Sequence, residues 1–338
     1  MKPRCWVFGA LALFLGASEP LLAWGPRGHQ TVGGIADQLI AGTNAAKEVR
    51  RILGSNLQTA SVWADCAKGV QQQKAGAPFK YEDSNGRFPE CAPYENPASQ
   101  AAMEAFIKRN AAACTLNAGD ETCRHKSYHY ADVALQRDHY DQAFAGTTDH
   151  DIVSAINAAL LVLQGEPSPA PFDIRGKREA LRLLTHYVGD LQQPLHVVAV
   201  YLDKQGRKVD PDAGTFDPTT STRGGNSIDD GSSKLHGLWD SIAGPMATEL
   251  LAGAGASEAR LVAPTAGATQ QWAVVWASET VHDGQEAFKG LRFKSKLANG
   301  HWPATHPRSY AADRRDLQRE QIVKAGARLA QILTTLWP

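Results

Sequence analysis

The sequence predicts an all-α protein that forms a single, mainly helical domain, and three observations lead to this prediction. Apolar residues recur every three or four positions through most of the chain, which is the spacing of one face of a helix. Capping residues and glycines bracket several of these stretches. Only two long stretches, residues 69–97 and 202–232, lack the helical spacing.

The predicted helices follow one another along the chain. An early helix is capped by Thr43 or Asn44 and stopped by Gly54. A later one starts at the capping acid Asp149 and ends before Gly165. The predicted helices cover residues 28–41, 44–53, 98–113, 149–164, 177–191, 268–287 and 310–336.

The two non-helical stretches are predicted to lie at the surface. Residues 69–97 are rich in glycine, proline, asparagine and charge. We expect a small β-hairpin at 197–202, or a long loop through 197–232, where Pro211 and Pro218 stand among many glycines and aspartates. Loops of this length are usually functional or mobile. No repeat and no sharp change of composition marks a boundary, so residues 24–338 are expected to form one domain.

The first 23 residues have the pattern of a secretory signal. Lys2 and Arg4 give a positive start, residues 6–17 form an apolar run too short to span a bilayer, and Ala23 is small enough for a cleavage site. An uncleaved anchor is the alternative. We therefore expect a secreted or periplasmic protein. We also expect no membrane span in the rest of the chain, and a monomer.

The charge of the chain excludes a protein that grips duplex DNA through many phosphate contacts. Lysine and arginine together number 35, as do aspartate and glutamate, and removal of residues 1–23 leaves one net negative charge. Any affinity for nucleic acid must therefore come from a local site, and bound metal ions can supply it.

Four cysteines remain after removal of the predicted signal. Because four is an even number in an oxidising compartment, two disulfides are expected, with three pairings open. A zinc site built from these cysteines is less favoured, since their spacings lack the C-x2–4-C pattern. The four are Cys66, Cys91, Cys114 and Cys123.

Pairs of histidine and aspartate predict a metal site. His186 and Asp190 are four residues apart on a predicted helix, and His196 follows them closely. His236 and Asp240 repeat the spacing on a short helix. This spacing puts both side chains of a pair on one helix face, and imidazole with carboxylate suits zinc. One pair alone would be an ordinary surface ion pair, but two pairs with a nearby histidine favour metal binding.

Further candidate ligands lie earlier in the chain. Asp65 is on a predicted helix, and His129 has His125 four residues before it as a competitor for the same role. Cleavage of the signal would make Trp24 the first residue, and its α-amino group, with a pKa of about 8, can donate to a metal at neutral pH. His29 could add a further bond. The alternative is that Trp24 is a buried aromatic and His29 a residue at a helix start.

These residues, in this order, resemble the tri-zinc single-strand nuclease/3′-nucleotidase family, which includes mung bean nuclease and the fungal S1 and P1 nucleases. The resemblance covers residues 24–240, and the remaining residues match only as helical packing. The matching segments are Trp24-Gly25…His29, Trp63-Ala64-Asp65, His129-Tyr130, His186-x3-Asp190, Gln193-Pro194-Leu195-His196, Gly224-Gly225-Asn226 and Leu235-His236-x2-Trp239-Asp240.

The resemblance implies three zinc ions, Zn2+, with a ligand set for each. The first would be held by Asp65, His129, His186 and Asp190. The second would be held by the amine and carbonyl of Trp24, by His29, and by Asp190 as a bridge to the first. The third would be held by His196, His236 and Asp240, with its other positions open to water and substrate.

The implied activity is hydrolysis of single-stranded DNA and RNA by an endonuclease that leaves 5′-phosphates, with 3′-nucleotidase activity. A hydroxide shared by the two close ions would be the nucleophile, and the third ion would stabilise the leaving 3′ oxygen. The catalytic residues implied are Asp65, Lys68 and Asp190. Lys68 stands where the family commonly has an arginine, so it would bind a phosphate as a point charge.

The residues implied to bind the substrate are Lys68, Tyr130, Asp132 and Asn226. Tyr130 would stack on a base, unless it is a core tyrosine, and Asp132 would hydrogen-bond that base. Asn226 would contact the scissile phosphate or hold the glycine turn before it. The loop at 203–222 is longer than in the fungal members, so their base preference is not carried over.

Two other functions stay open at this stage. A zinc phospholipase C, or a phosphodiesterase of broad specificity, is similar in fold and metal layout. The phospholipases have a longer gap between the terminal tryptophan and the first histidine, and glutamate in place of Asp240. A non-catalytic zinc-storage protein would need closed four-ligand sites, whereas the third site has only three protein ligands.

Overall fold

The computed structural model describes residues 24–72, 74, 76–82, 88–111, 115–117, 120–231 and 233–338. The signal expected at residues 1–23 lies outside this part of the chain and stays a prediction. Within the described ranges, every helix is too short or too polar to cross a membrane.

Helices dominate the described structure, together with 3₁₀ helices at Pro89–Tyr94 and Pro218–Thr220 and a π-helical turn at Leu250–Ala254. In chain order the α-helices are α1 (Pro26–Leu39), α2 (Asn44–Leu53), α3 (Leu57–Ala60), α4 (Trp63–Ala67), α5 (Pro97–Asn110), α6 (Arg124–Ser127), α7 (Ile152–Gln164), α8 (Gly176–Leu191), α9 (Pro194–Val197), α10 (Leu235–Asp240), α11 (Gly244–Glu249), α12 (Gly255–Ala259), α13 (Thr269–Ala287) and α14 (Tyr310–Leu336).

The long helices lie where their apolar spacing predicts them. Helices α2 and α14 have the predicted bounds, and α1, α5, α8 and α13 begin and end within three residues of theirs. Thr43 caps α2 with its side chain, and Gly54 ends it in the left-handed conformation. Helix α7 begins later than predicted, because Asp151 and not Asp149 accepts the first free N–H groups of the helix.

Helix α8 lies at the centre of the fold. It packs against α1, α2, α3, α4, α7, α13 and α14, and from Ala180 to Leu191 only Arg182 is not buried. Each fully buried leucine or valine there contributes about 1.5–3 kcal/mol of hydrophobic stabilisation. Helix α1 packs closely on α14, since a Cβ on Gly326 would lie only 2.5 Å from Ile35 Cγ2. The last turn of α8 therefore ends inside the molecule.

The fold is broadly helical, as predicted, but it also contains small sheets that the helical spacing did not predict. The largest has four strands in the order β8-β7-β10-β9, in which β7 and β10 are parallel. The strands are β1 (Val70–Gln71), β2 (Lys80–Tyr81), β3 (Thr115–Asn117), β4 (Asp120–Thr122), β5 (Val133–Ala134), β6 (Val198–Ala199), β7 (Ile228–Asp230), β8 (Ser233–Lys234), β9 (Arg292–Phe293) and β10 (Trp302–Thr305).

The hairpin expected within residues 197–202 is not formed. Strand β6 instead pairs in parallel with β5, which joins the segment after His196 to the segment after His129. A short antiparallel turn follows, with Leu202 bridged to Lys208, and it opens the long loop at 203–222. The sequence could not show this pairing, because the two strands have two residues each and are far apart in the chain.

A disulfide joins Cys66 in α4 to Cys91 in the first 3₁₀ helix. Cys123 is also disulfide-bonded, and Cys114 lies outside the described residues. The bond between Cys66 and Cys91 ties the short helix that carries Asp65 to the segment 69–97.

Candidate metal centre

Five polar side chains meet beside the last turn of α8. His29 lies in the first turn of α1, Asp65 in α4, and His129 just after α6, while His186 and Asp190 are one turn apart on α8. None of the five is more than 5 % exposed. We name His29, Asp65, His129, His186 and Asp190 the helical cluster.

Asp190 lies between the histidines of the helical cluster. Its Oδ1 is 3.1 Å from His29 Nε2. Its Oδ2 is 2.9 Å from His129 Nδ1 and 3.1 Å from His186 Nε2. The donor atoms of His29, His186 and Asp190 form one group able to hold a metal ion, and those of Asp65, His129 and His186 form another.

Helices α1 and α8 approach closely enough to make this cluster because Gly189 has no side chain. A Cβ at Gly189 would lie 3.0 Å from His29 Nδ1, so a larger residue would displace the imidazole. The rings of His29 and His186 stack with their centroids 3.8 Å apart. The close packing of the two helices thus sets the spacing of their ligand atoms.

Several polar atoms of the helical cluster are buried without a hydrogen-bond partner in the described structure. They are both ring nitrogens of His29, Asp65 Oδ2 and Asp190 Oδ1. Leaving such an atom unpaired costs about 1–3 kcal/mol. His29 Nε2 and Asp190 Oδ1 lie 3.1 Å apart as a close charge contact but do not form a hydrogen bond. A cation would satisfy them, and a donor set of imidazole and carboxylate suits zinc.

A second set of buried ligands lies next to the first. Each of its three members is at most 6 % exposed. His196 Nδ1–H donates to the carbonyl of His129 at 2.7 Å, and His236 Nδ1–H donates to the carbonyl of Gly224 at 2.6 Å. Gln193 Nε2 donates to Asp240 Oδ1 at 2.8 Å. We name His196, His236 and Asp240 the carbonyl-held cluster.

These hydrogen bonds fix the protonation of both imidazoles in the carbonyl-held cluster. Because each Nδ1 carries the proton, each Nε2 has a lone pair, and the two Nε2 atoms are 3.1 Å apart. Two lone pairs at this distance repel each other unless a cation lies between them. Nitrogen ligands at 2.0–2.1 Å from a tetrahedral zinc ion are about 3.3 Å apart, so the observed spacing fits zinc.

His129 connects the two clusters. Its Nδ1 faces Asp190 in the helical cluster, while its backbone carbonyl orients His196 in the carbonyl-held cluster. All three groups of donor atoms therefore belong to one continuous buried centre.

Burial and charge set the protonation of the ligands. Burial lowers the pKa of every histidine in the two clusters except His186, to about 3 for His236. Burial also opposes the ionised form of Asp65, but the Lys68 ammonium, followed by His186, outweighs it and lowers the pKa of Asp65 to about 2. Neutral imidazole and ionised carboxylate are the forms that bind metal.

Lys68 supplies a positive charge at the helical cluster. Its Nζ is 2.7 Å from Asp65 Oδ1, and 19 % of its side chain is exposed, so the ammonium lies at the boundary between the cluster and solvent. His125 is buried nearby, but it belongs to none of the donor groups found among the described residues. The structure therefore brings His129, and not His125, into the centre.

Trp24 is fully buried beside the helical cluster. A Cβ at Gly189 would lie 3.9 Å from Trp24 Cδ1, which locates the indole near His29. Gly25 N–H donates to the carbonyl of Asp240 at 2.8 Å. Trp24 is thus a buried aromatic and His29 a residue at a helix start, as the alternative expected. These positions also place both residues at the helical cluster, so the structural role and a ligand role are compatible.

Three of the predicted substrate residues lie at the edge of the carbonyl-held cluster, where β5 begins. Tyr130 is 39 % exposed, so it is not a core tyrosine. Asp132 is half-buried, and burial raises the pKa of its carboxyl to about 7. Asn226 Nδ2 donates to the carbonyl of Arg223 at 2.9 Å, which favours its role in holding the glycine turn.

The residues that sequence analysis missed are those that orient the ligands. The carbonyl of Ser61 accepts from His186 Nδ1 at 2.6 Å, and Gln193 holds Asp240. The signal for Gln193 was its place in the segment Gln-Pro-Leu-His, but its partner Asp240 is 47 residues further along the chain.

A protein-family model matches this chain, whereas no curated protein does. This family model, described as S1/P1 Nuclease, matches residues 117–337, which is more than half of the 338-residue chain. Trp24, His29 and Asp65 lie before the matched span, and the fold brings them to the matched ligands of α8. The resemblance found in the motifs is thereby confirmed: the chain belongs to the S1/P1 nuclease family, which implies a hydrolase that acts on phosphodiester bonds.

Proposed function

We propose that this protein is a zinc-dependent endonuclease that hydrolyses single-stranded DNA and RNA to 5′-phosphorylated products and also acts on 3′-nucleotides. We further propose that it works outside the cytoplasm, secreted or in the periplasm, once residues 1–23 are removed. The observation that carries the proposal is the convergence of buried imidazoles and carboxylates into three groups of donor atoms. In the helical cluster several of these atoms, including both ring nitrogens of His29, have no hydrogen-bond partner among the described residues.

The proposed zinc ligands divide between the two clusters. Two ions would be held by the helical cluster together with Trp24, and one by the carbonyl-held cluster. When bound, zinc ions supply Lewis-acid chemistry that activates water and neutralises charge on a phosphoryl group. Asp190 is proposed as the bridge, because its two oxygens face different histidines at 2.9–3.1 Å.

Lys68 is proposed to bind the scissile phosphate. Its ammonium lies beside Asp65 and is partly exposed, so a phosphate oxygen can reach it from solvent. A lysine offers a point charge without the planar fork of an arginine. It therefore contributes charge stabilisation with less control over the orientation of the phosphate.

The proposed preference for single strands depends on contacts of Tyr130 and Asp132 with an unpaired base. Base stacking on an exposed aromatic ring is worth about 1–3 kcal/mol per base, and it needs a base that is free of its duplex partner. With a pKa of about 7, the carboxyl of Asp132 can donate or accept a hydrogen bond near neutral pH. Both residues are close to His196, since the residue between them, Ala131, donates its N–H to the carbonyl of His196 at 2.7 Å.

The proposal is tested by offering the mature protein three substrates in parallel. These are a single-stranded oligonucleotide, the same sequence as a duplex, and phosphatidylcholine vesicles. We expect the single strand to be cut to products with 5′-phosphates, the duplex to be cut at least about tenfold more slowly, and the vesicles to be left intact. Release of phosphocholine without cleavage of nucleic acid would support a zinc phospholipase C instead. Zinc binding with no hydrolysis of any substrate would support a storage protein.

A further inference from the structure

The turn before Asn226 contains an unusual backbone. Arg223 has a φ of 54° and is the one non-glycine residue in the left-handed region within the described part of the chain. Gly224 and Gly225 follow with φ values of 56° and 86°. A residue with a Cβ adopts this conformation at a cost, and it persists where surrounding contacts fix it, most often at functional sites.

The contacts that fix this turn serve the carbonyl-held cluster. Asn226 donates its backbone N–H and its side-chain Nδ2–H to the carbonyl of Arg223, at 3.0 and 2.9 Å. Thr222 Oγ1 donates to the carbonyl of Val200 at 2.6 Å. The turn aims the carbonyl of Gly224 at His236 Nδ1. This explains why the backbone is left-handed, but glycine would meet the same need at position 223 without strain.

Arg223 is a neighbour of two of the proposed substrate residues, Asp132 and Asn226. Arg223 is exposed, and its charge acts on the carboxyl of Asp132, which also accepts the N–H of Gly224. Tyr130, two residues before Asp132, is also exposed. The exposed residues Arg223 and Tyr130 and the carboxyl of Asp132 therefore lie in segments beside the carbonyl-held cluster, whereas Lys68 lies beside Asp65 in the helical cluster.

We propose that Arg223 binds a non-scissile phosphate of the single strand and so makes the enzyme favour polynucleotides over mononucleotides. This proposal rests on the proposed nuclease function. A guanidinium matches two phosphate oxygens with its planar fork. The chain as a whole is close to neutral, so attraction for a polyanion depends on single cations placed near the site.

The variant Arg223→Gln tests the proposal, with Lys177→Gln as the matched control. Lys177 is exposed in the first turn of α8, about 20 Å along the helix from Asp190, and it loses the same charge. The substrates are a ten-nucleotide oligothymidylate, an abasic strand of equal length, and a nucleoside 3′-monophosphate.

For Arg223→Gln we expect kcat/KM on both strands to fall about tenfold, with less than a twofold change on the monophosphate. The slope of log kcat/KM against log salt should become shallower by about 0.7, the value for one phosphate contact on a single strand. Lys177→Gln should leave all these quantities unchanged. Arg223→Gly should fold and show the same loss, because glycine adopts the turn without strain.

Equal losses on the strands and on the monophosphate would overturn the proposal, as would unchanged hydrolysis of the strands. A loss on oligothymidylate but not on the abasic strand would mean that Arg223 contacts a base. Binding of the fluorescein-labelled oligothymidylate to zinc-free protein is measured alongside. If the wild type binds but cuts no strand, the proposed function fails, while the effect of Arg223→Gln on the dissociation constant still decides the role of Arg223.

Discussion

The helical cluster and the carbonyl-held cluster contain the same kinds of side chain, but the protein orients them differently. In the carbonyl-held cluster both histidines donate to backbone carbonyls, and Gln193 holds Asp240. In the helical cluster the imidazole of His29 and Oδ1 of Asp190 have no hydrogen-bond partner among the described residues. Their positions come from the packing of helices, notably at Gly189.

This difference indicates which cluster needs bound ions to hold its side chains in place. The carbonyl-held cluster is preorganised by the chain, so an ion arriving there meets ligands that already point at it. In the helical cluster the protein holds His186 through the carbonyl of Ser61 and His129 through Asp190. The ring nitrogens of His29 have no hydrogen-bond partner among the described residues, and a cation would satisfy them. Three predictions separate the two clusters and a fourth tests the carboxyl of Asp132 beside them, and they are given from the largest expected effect to the smallest.

Asp190→Ala should have the largest effect, because Asp190 faces both donor groups of the helical cluster. We expect zinc content, measured by mass spectrometry, to fall from three ions to one, with activity reduced more than about a hundredfold. Asp240→Ala is the matched variant in the other cluster and should lose a single ion. Loss of the same number of ions from both variants would contradict the bridging role of Asp190.

One additional residue before Trp24 should affect the helical cluster alone. If the amine of Trp24 is a ligand, an extra alanine removes it, and we expect loss of one ion and at least about a tenfold loss of activity. The same alanine added after Pro338 serves as the control. Full zinc content and full activity with the N-terminal extension would remove Trp24 from the proposed ligands.

Gln193→Met should weaken only the carbonyl-held cluster. The substitution removes the donor to Asp240 Oδ1 while keeping a similar volume, and loss of such a partner costs about 10–100-fold in metal affinity. Zinc titration against a competing chelator measures the three affinities. A weakening of all three sites would show that the two clusters are not independent.

Asp132→Asn should change the pH dependence of stability. The pKa of Asp132 is raised to about 7 in the folded protein by burial, and is near 3.9 when unfolded. The folded state therefore holds the proton more tightly, so the wild type should lose stability relative to Asp132→Asn as pH rises from about 4 to about 7, and should change little above that. The expected change is at least about 1.4 kcal/mol, the equivalent of one pKa unit. Denaturant unfolding of both proteins at pH 5 and pH 8 measures this change. If the difference in the free energy of unfolding between the two proteins is the same at both pH values, the raised pKa of Asp132 is ruled out.

The sequence predicted well those features that depend on local spacing. The bounds of α2 follow from its cap residue Thr43 and from Gly54, and those of α14 from its apolar spacing. The pairs His186–Asp190 and His236–Asp240 each lie on a helix as predicted. In such cases the interacting residues are within one or two helical turns, so their spacing in the sequence is enough to predict which side chains share a helix face.

Features that depend on distant contacts were not predictable in the same way. His125 and His129 are four residues apart and competed for the same role, and only the fold places His129 against Asp190. The parallel pairing of β5 with β6 involves two residues on each side, too few to leave a periodic signal. Arg223 escaped notice because the turn that it opens is set partly by the contact of Gly224 with the distant His236, and a lone arginine before two glycines does not reveal that contact.

The most direct test of the central claim is to count zinc in protein that begins at Trp24 and to follow its hydrolysis of single-stranded DNA during chelation and zinc return. Three ions per chain are expected, with activity lost on their removal and restored when zinc is added back. Hydrolysis that continues undiminished with one tightly held ion, or with none, would contradict the account.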